Sequence, residues 1–178
     1  MRQGARAEPS TSAPASSGTT ISTGEFSWLL ADMLKLVRDL LHSDTATVLL
    51  LDVSGTVLET AASVGPEDVV LHPFRVPVGH GFAGTIAERR RPATITEVTR
   101  GVVVNPHLVE LGISSLLGAP LVHDGRLLGV LHVGSLRRRE FTDAEVLTLV
   151  RAAAPVAHTL ASNASLPRTH WRLPCSEP

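Results

Sequence analysis

The sequence predicts an α+β fold, with one antiparallel sheet at the centre and the helices at either end of the chain packed on it. Three observations lead there. The first is the stretch from Leu116 to Ser135, where two apolar runs flank His123-Asp124-Gly125-Arg126. Asp-Gly tolerates the positive φ angles of a tight type I′ turn, so the runs pair as an antiparallel hairpin. The second is the order of elements: helix, hairpin, strand, helix, strand, loop, hairpin, helix. Successive hairpins do not build a doubly wound parallel sheet. The third is that neither run of the hairpin alternates cleanly. Leu127, Gly129, Leu131 and Val133 point one way and Leu128, Val130, His132 and Gly134 the other, so both faces are apolar and covered. The terminal helices are the natural cover for one face. What covers the other is the functional question.

Residues 1–24 are rich in Ser, Thr, Ala, Pro and Gly and carry little to bury, which predicts a disordered tail. The domain itself is expected over 25–163. Phe26, Leu29, Leu30, Met33, Val37 and Leu40 recur at helical spacing and predict a helix ending near His42. Thr45 to Leu51 is β-branched and apolar, hence a strand, and Ser54-Gly55 turns it into a second strand from Thr56 to Ser63. Leu71 to Val78, broken by Pro73 and Pro77, reads as an edge strand. A short helix follows from Gly79 to Arg90, where Arg89 to Arg91 suit the negative end of its dipole. Pro92 stops it, and Ala93 to Val98 reads as a strand. Thr99 to Gly112 is a long loop in which Pro106 starts one helical turn through Leu111.

After the central hairpin, Thr142 and Glu145 have the spacing of a capping box, with Phe141 and Val146 as its hydrophobic staple. The helix they start carries Val146, Leu149, Val150, Ala153, Ala157 and Leu160 on one stripe, and Pro155 is expected to kink it. Beyond Ser162 the pattern fades into Ser, Pro and Arg, so 164–178 is expected to be a second disordered tail.

Composition excludes several functions. A chain of 178 residues with 43% hydrophobic and 19% charged residues is that of a globular domain with tails. Its net charge of −1 gives no bulk attraction to nucleic acid or to an anionic membrane surface. No apolar run approaches the roughly 18 residues that cross a bilayer, and the first residues lack the apolar core of a secretory signal. A single cysteine, Cys175, forms no internal disulfide, so a cytoplasmic location is expected.

Motifs for chemistry are few. Gly79-His80-Gly81-Phe82-Ala83-Gly84 matches G-x-G-x-x-G, but the preceding segment is broken by proline and no acidic residue stands about 20 positions on. It reads as a glycine-permitted start to a helix, whose amides offer a place for an anionic group. The eight histidines show neither H-x-x-x-H nor H-E-x-x-H spacing, so no metal site is expected. His132, in mid-strand, reads as a hydrogen-bonded core residue; His107, beside Asn105 in the long loop, is the better binding candidate. No G-x-S-x-G is present, and Ser114-Ser115 lacks a recognisable base, so no catalytic residue is assigned.

Four segments taken together resemble a known family, the GAF domains, over about Phe26 to Ser162. They are Val76-Pro-Val-Gly-His-Gly-Phe-Ala-Gly84, Ser115-Leu-Leu-Gly-Ala-Pro-Leu121, Leu128-Gly-Val-Leu-His-Val-Gly134 and Phe141-Thr-Asp143. The resemblance implies a GAF/PAS-like sheet of about six strands, terminal helices on one face, and a pocket on the other roofed by the short helix and the long loop. Members are mostly sensory inputs of bacterial kinases, phosphatases, cyclases and transcription regulators, and many dimerise through their terminal helices. Their ligands include cyclic nucleotides, haem and bilins, and some have none known. Bilin-type and sulfoxide-reductase members use cysteines in the domain, which this chain lacks there; the N-K-F-D-E set of the cyclic-nucleotide type is also missing. In haem-binding members a proximal histidine stands where Glu110 falls here, with His107 just before it, which disfavours haem.

The expected function is a non-catalytic sensory module that binds a small molecule and signals through helix packing. Its pocket candidates are Phe82, Ile86, Asn105, His107, Leu111, Ser115 and His132. The expected partner is a second copy of the chain, or a kinase, phosphatase or transcription regulator. A haem-based redox or gas sensor and a ligand-free interaction module are the alternatives. Leu30, Leu34, Val37 and Leu41 form a stripe that serves either a dimer or the chain's own core. Pro155, Pro167 and Pro174 are expected to prevent one long helix leading to an output domain, so the chain reads as a stand-alone domain or a piece of something larger.

Overall fold

A computed structural model describes residues 23–66 and 74–163. Ten elements follow in order: α1 (Thr23–Leu40), β1 (Thr45–Leu51), β2 (Val57–Val64), β3 (Arg75–Pro77), α2 (Gly81–Arg89), β4 (Ala93–Ile95), α3 (Pro106–Glu110), β5 (Ser115–His123), β6 (Arg126–Ser135) and α4 (Asp143–Ser162). The strands form one six-stranded sheet in the order β3-β2-β1-β6-β5-β4, and every pairing is antiparallel. Residues 1–22 and 164–178, where the tails are expected, lie outside the described residues, as do Leu71 to Pro73 of the expected edge strand. Thr23 and Gly24 open α1.

The hairpin is central, as its two apolar faces require. Its turn is Asp124-Gly125, with φ of 48° and 73°, the two positive values of a type I′ turn. One face of the sheet packs on α1 and α4: Ala46, Val48 and Leu50 of β1, Leu117, Ala119 and Leu121 of β5, and Leu131 and Val133 of β6 share a core with Phe26, Leu30, Leu34, Leu149 and Leu160. The opposite face carries a second core. There Leu49, Leu58, Leu116 and Val130 meet Phe82 and Ile86 of α2 and Val103 and Ile113 of the flanking loops.

Several expectations need correcting. The stripe Leu30, Leu34, Val37 and Leu41 is at most 5% exposed and belongs to the chain's own core, so it is not a surface for a second copy. The outward side of α1 instead shows Leu29, Leu36 and Leu40, and that of α4 Leu147 and Val150. Leu127 and Leu128 sit on faces opposite to those the alternation assigns: Leu127 packs with the second core and Leu128 with the first. The cause is a register shift between Leu121 and Val122, which leaves Leu128 as an extra residue and turns over the tip of β6. Pro155 lies inside α4, whose 20 residues continue past it to Ser162. The helix beginning at Gly79 starts at Gly81, and β4 stops at Ile95.

The capping box forms as the spacing requires. Thr142 Oγ1 accepts from the Glu145 N–H at 3.3 Å, and Glu145 Oε2 accepts from the Thr142 N–H at 2.8 Å. The G-x-G-x-x-G segment is a helix start. The Gly79 N–H donates to the Gly84 carbonyl at 2.9 Å, and a Cβ on Gly84 would stand 2.3 Å from the Pro77 carbonyl, so only glycine fits that crossing. A Cβ on Gly81 would stand 2.6 Å from Val104 Cγ2, so Val104 packs closely against the start of α2.

Candidate ligand pocket

Between the second sheet face and its roof lies a cavity of about 80 Å³. Its floor is polar where a sheet interior is normally apolar. Thr45 and Thr47 point into it because they alternate with Ala46 and Val48, which face the helices. In the cross-strand register, Thr47 stands opposite Ser63 on β2 and His132 on β6, and His132 opposite Gly118 on β5. A polar row, Ser63–Thr47–His132, therefore crosses three strands and ends at a glycine.

A β-bulge completes the row. Val48 pairs with Ala62 and Leu49 with Thr60, so Ala61 is the extra residue on β2. By plain alternation Thr60 and Ser63, an odd number of positions apart, would face opposite sides. With the bulge, both line the cavity. Gly118 has a different part: a Cβ there would stand 2.6 Å from Ile86 Cδ1 and 3.0 Å from Phe82 Cε1. The missing side chain lets α2 descend onto the sheet beside His132, whose ring meets Phe82 edge-on at 6.3 Å between centroids.

Within the row, Thr47 and Ser63 satisfy each other, hydroxyl to hydroxyl at 2.8 Å. Two other buried polar atoms have no hydrogen-bond partner: Thr45 Oγ1 and His132 Nδ1. His132 is a core residue, as mid-strand placement suggests, but the hydrogen bond expected of it is missing at Nδ1. Burial lowers its pKa from 6.5 to about 4, so the ring is neutral near pH 7.

The roof is built by α2, by Val103 and Val104, and by α3. Asn105 caps α3, its side-chain oxygen accepting from the His107 N–H at 3.0 Å, with Pro106 at the first helical position. His107 lines the cavity while its Nδ1 lies 2.8 Å from Glu110 Oε2. Leu108 and Leu111 close the side. Among the described residues that line the cavity, none is Lys, Arg, Asp or Glu.

Of the seven residues singled out in the sequence, Phe82, Asn105, His107, Leu111 and His132 line this cavity. Ile86 and Ser115 do not. Ile86 is packed over Gly118, and Ser115 donates to the Arg137 carbonyl at 2.9 Å and accepts from the Arg139 N–H at 2.8 Å, which ties down the segment after β6. Sequence reading missed Thr45, Thr47, Thr60 and Ser63. The alternation Thr45-Ala46-Thr47-Val48 carries the signal for the first two. No pattern announces Ser63, because the bulge that turns it inward has no sequence signature. Among the described residues, no group of three His, Cys, Asp or Glu side chains could hold a metal ion, and no helix is long and apolar enough to cross a membrane.

Comparison with known proteins bears on this architecture. The GAF domain of a phosphoenolpyruvate-protein phosphotransferase from Coxiella burnetii superposes with a TM-score of 0.69 at 22% identity, over 79% of this chain and 84% of that one. A free methionine-R-sulfoxide reductase from Neisseria meningitidis, in complex with its substrate, gives 0.65 at 20% identity, over 79% and 80%. A segment of a methyl-accepting chemotaxis protein gives 0.64 at 20% identity, over 79% and 91%. At these identities the likeness is one of fold. No curated protein matches the chain. A family profile described as GAF domain matches residues 26–161, which span both terminal helices and the whole sheet. The chain belongs to the GAF domain family, a fold found in signalling proteins.

Proposed function

We propose that this chain is a sensory module that binds a small molecule in the cavity between the sheet and the α2–α3 roof and reports its occupancy through α1 and α4. The observation that carries the reading is the polar floor buried beneath that roof, where Thr45 Oγ1 and His132 Nδ1 are unpartnered. A merely structural sheet face would fill the space with apolar side chains. The output is a population shift: a ligand that binds one arrangement of floor and roof better favours it. The floor strands β1 and β6 present their other faces to the terminal helices, so a change in strand position reaches α1 and α4 directly. There Leu29, Leu36, Leu40, Leu147 and Val150 offer an exposed apolar surface to a second copy or to a kinase, phosphatase or transcription regulator.

Haem does not fit the cavity as the roof stands. A space of about 80 Å³ is roughly half the 150 Å³ that admits benzene, and of the two histidines that line it His107 has its Nδ1 engaged by Glu110 while His132 lies buried in mid-strand. Sulfoxide reduction by thiols finds no cysteine in the domain, since Cys175 is the single one in the chain. The reading is tested by thermal shift of the full chain against a collection of metabolites. A ligand at 100 times its dissociation constant adds about 2.7 kcal/mol of stability. Its effect is expected to weaken when Gly118→Ala displaces the roof; a collection without any stabilising compound would leave the ligand-free interaction module as the better account.

A further inference from the structure

We infer that the cavity takes an uncharged ligand of about three to five non-hydrogen atoms whose polar end is a primary amide or a hydroxyl, seated on His132 and Thr45. The inference rests on the small-molecule reading above and specifies its chemistry.

Charge is the first argument. A charged ligand group held among these lining residues would lack a counter-charge, because none of the described ones is Lys, Arg, Asp or Glu and His107 is already engaged by Glu110. Burying an ion unpaired is far costlier than burying a hydrogen-bonded neutral group. Carboxylates, phosphates and ammonium groups are therefore disfavoured.

Hydrogen-bonding capacity is the second. Thr47 and Ser63 are satisfied by each other, which leaves Thr45 Oγ1 and His132 Nδ1 as the atoms in need of partners. Thr45 is 3% exposed and His132 5%, so bulk water does not supply them. A neutral imidazole has one donor and one acceptor nitrogen, and a threonine hydroxyl both donates and accepts. A primary amide or a hydroxyl does both and so pairs with either tautomer of the ring, whereas an ether or ketone only accepts and a hydrocarbon does neither.

Size and shape are the third. About 80 Å³ accommodates a fragment smaller than benzene. Opposite the polar row, Phe82, Val103 and Leu108 present an apolar wall. A methyl or short alkyl remainder suits that side.

The experiment titrates the full chain near pH 7 with acetamide, propane-1,2-diol and acetate into the millimolar range. It follows the backbone amides of Thr45, Thr47, Ser63 and His132 and the His132 ring nitrogens by NMR. Acetamide and the diol are expected to shift these resonances saturably, and acetate, of the same shape as acetamide, to bind at least about tenfold more weakly. His132→Phe and Thr45→Val each keep the bulk and remove the anchor, and each is expected to weaken acetamide at least about fivefold. If one of them does not fold, the other and the wild-type comparison of acetamide with acetate still decide. Acetate binding as well as acetamide, or acetamide binding unaffected by the folded variants, overturns the inference. If none of the three probes binds but a larger or charged compound from the thermal-shift collection moves the same resonances, the sensory reading stands and this ligand class falls. If no compound binds at all, both fall.

Discussion

The Arg139 guanidinium donates to the Leu41 carbonyl at 2.8 Å, joining the end of α1 to the segment that leads into α4. The same group pairs with Glu145 at 3.0 Å and lies 4.3 Å from the centre of the Phe141 ring. Its backbone N–H is held by Ser115 at the start of β5. One residue thus joins both terminal helices through its side chain and the sheet through its backbone.

Arg139→Ala is expected to destabilise the fold by about 1–3 kcal/mol, since it removes a charge-assisted hydrogen bond and an ion pair together. Arg139→Lys should recover only part of this, because an ammonium cannot reach Leu41 and Glu145 with a planar fork. Urea denaturation midpoints of the three proteins check both statements.

Thr142→Ala breaks the capping box and is expected to lower stability by about 1 kcal/mol. Burial raises the Glu145 carboxyl, but the Thr142 hydrogen bonds and the Arg139 guanidinium together outweigh it and hold its pKa below the ordinary 4.5. A carboxyl whose folded pKa is depressed contributes stability above the unfolded value and loses that contribution as pH falls through the folded one. Glu145→Gln should therefore cost stability at neutral pH and flatten the loss that begins near 4.5 in the wild type, as read from denaturation midpoints across acid pH.

His132 gives a second, separate acid transition. With the folded ring at about 4 against 6.5, the unfolded chain binds more protons between those values. Stability is unaffected above the upper value and falls as pH drops below it, by about 2 kcal/mol at roughly pH 5. His132→Phe should abolish this slope while leaving the Glu145 transition in place. Ring titration by NMR locates the midpoint.

Gly118→Ala places a methyl against Ile86 and Phe82, so α2 must rise or its side chains must change rotamer. Overpacking of this kind costs about 1–3 kcal/mol. The outcome expected is a folded protein with a displaced roof and weakened ligand response, measured by thermal shift with and without the best-binding compound.

The fold was legible in the sequence because its strongest signals are local. Asp124-Gly125 dictates the hairpin, Thr142 with Glu145 starts α4, and the doubly apolar run from Leu127 to Gly134 demands a sheet covered on both faces. The site was legible in part. Phe82, Asn105, His107, Leu111 and His132 stand at helix starts, loops or polar breaks in apolar strands, where sequence attracts notice. Thr45, Thr47, Thr60 and Ser63 resemble ordinary strand residues, and their role depends on cross-strand register. The same reason explains the misplaced Leu127 and Leu128: alternation is a reliable guide only while no extra residue interrupts it.

The extra residue at Ala61 makes β2 two half-strands of opposite parity. Loss of that one amino acid would leave Thr60 and Ser63 two positions apart, so plain alternation would keep both toward the cavity and still opposite Leu49 and Thr47. The floor thus keeps its polar face through a deletion at this one point, with every lining side chain intact. A change of strand length in such a scaffold need not alter what the floor presents to a ligand.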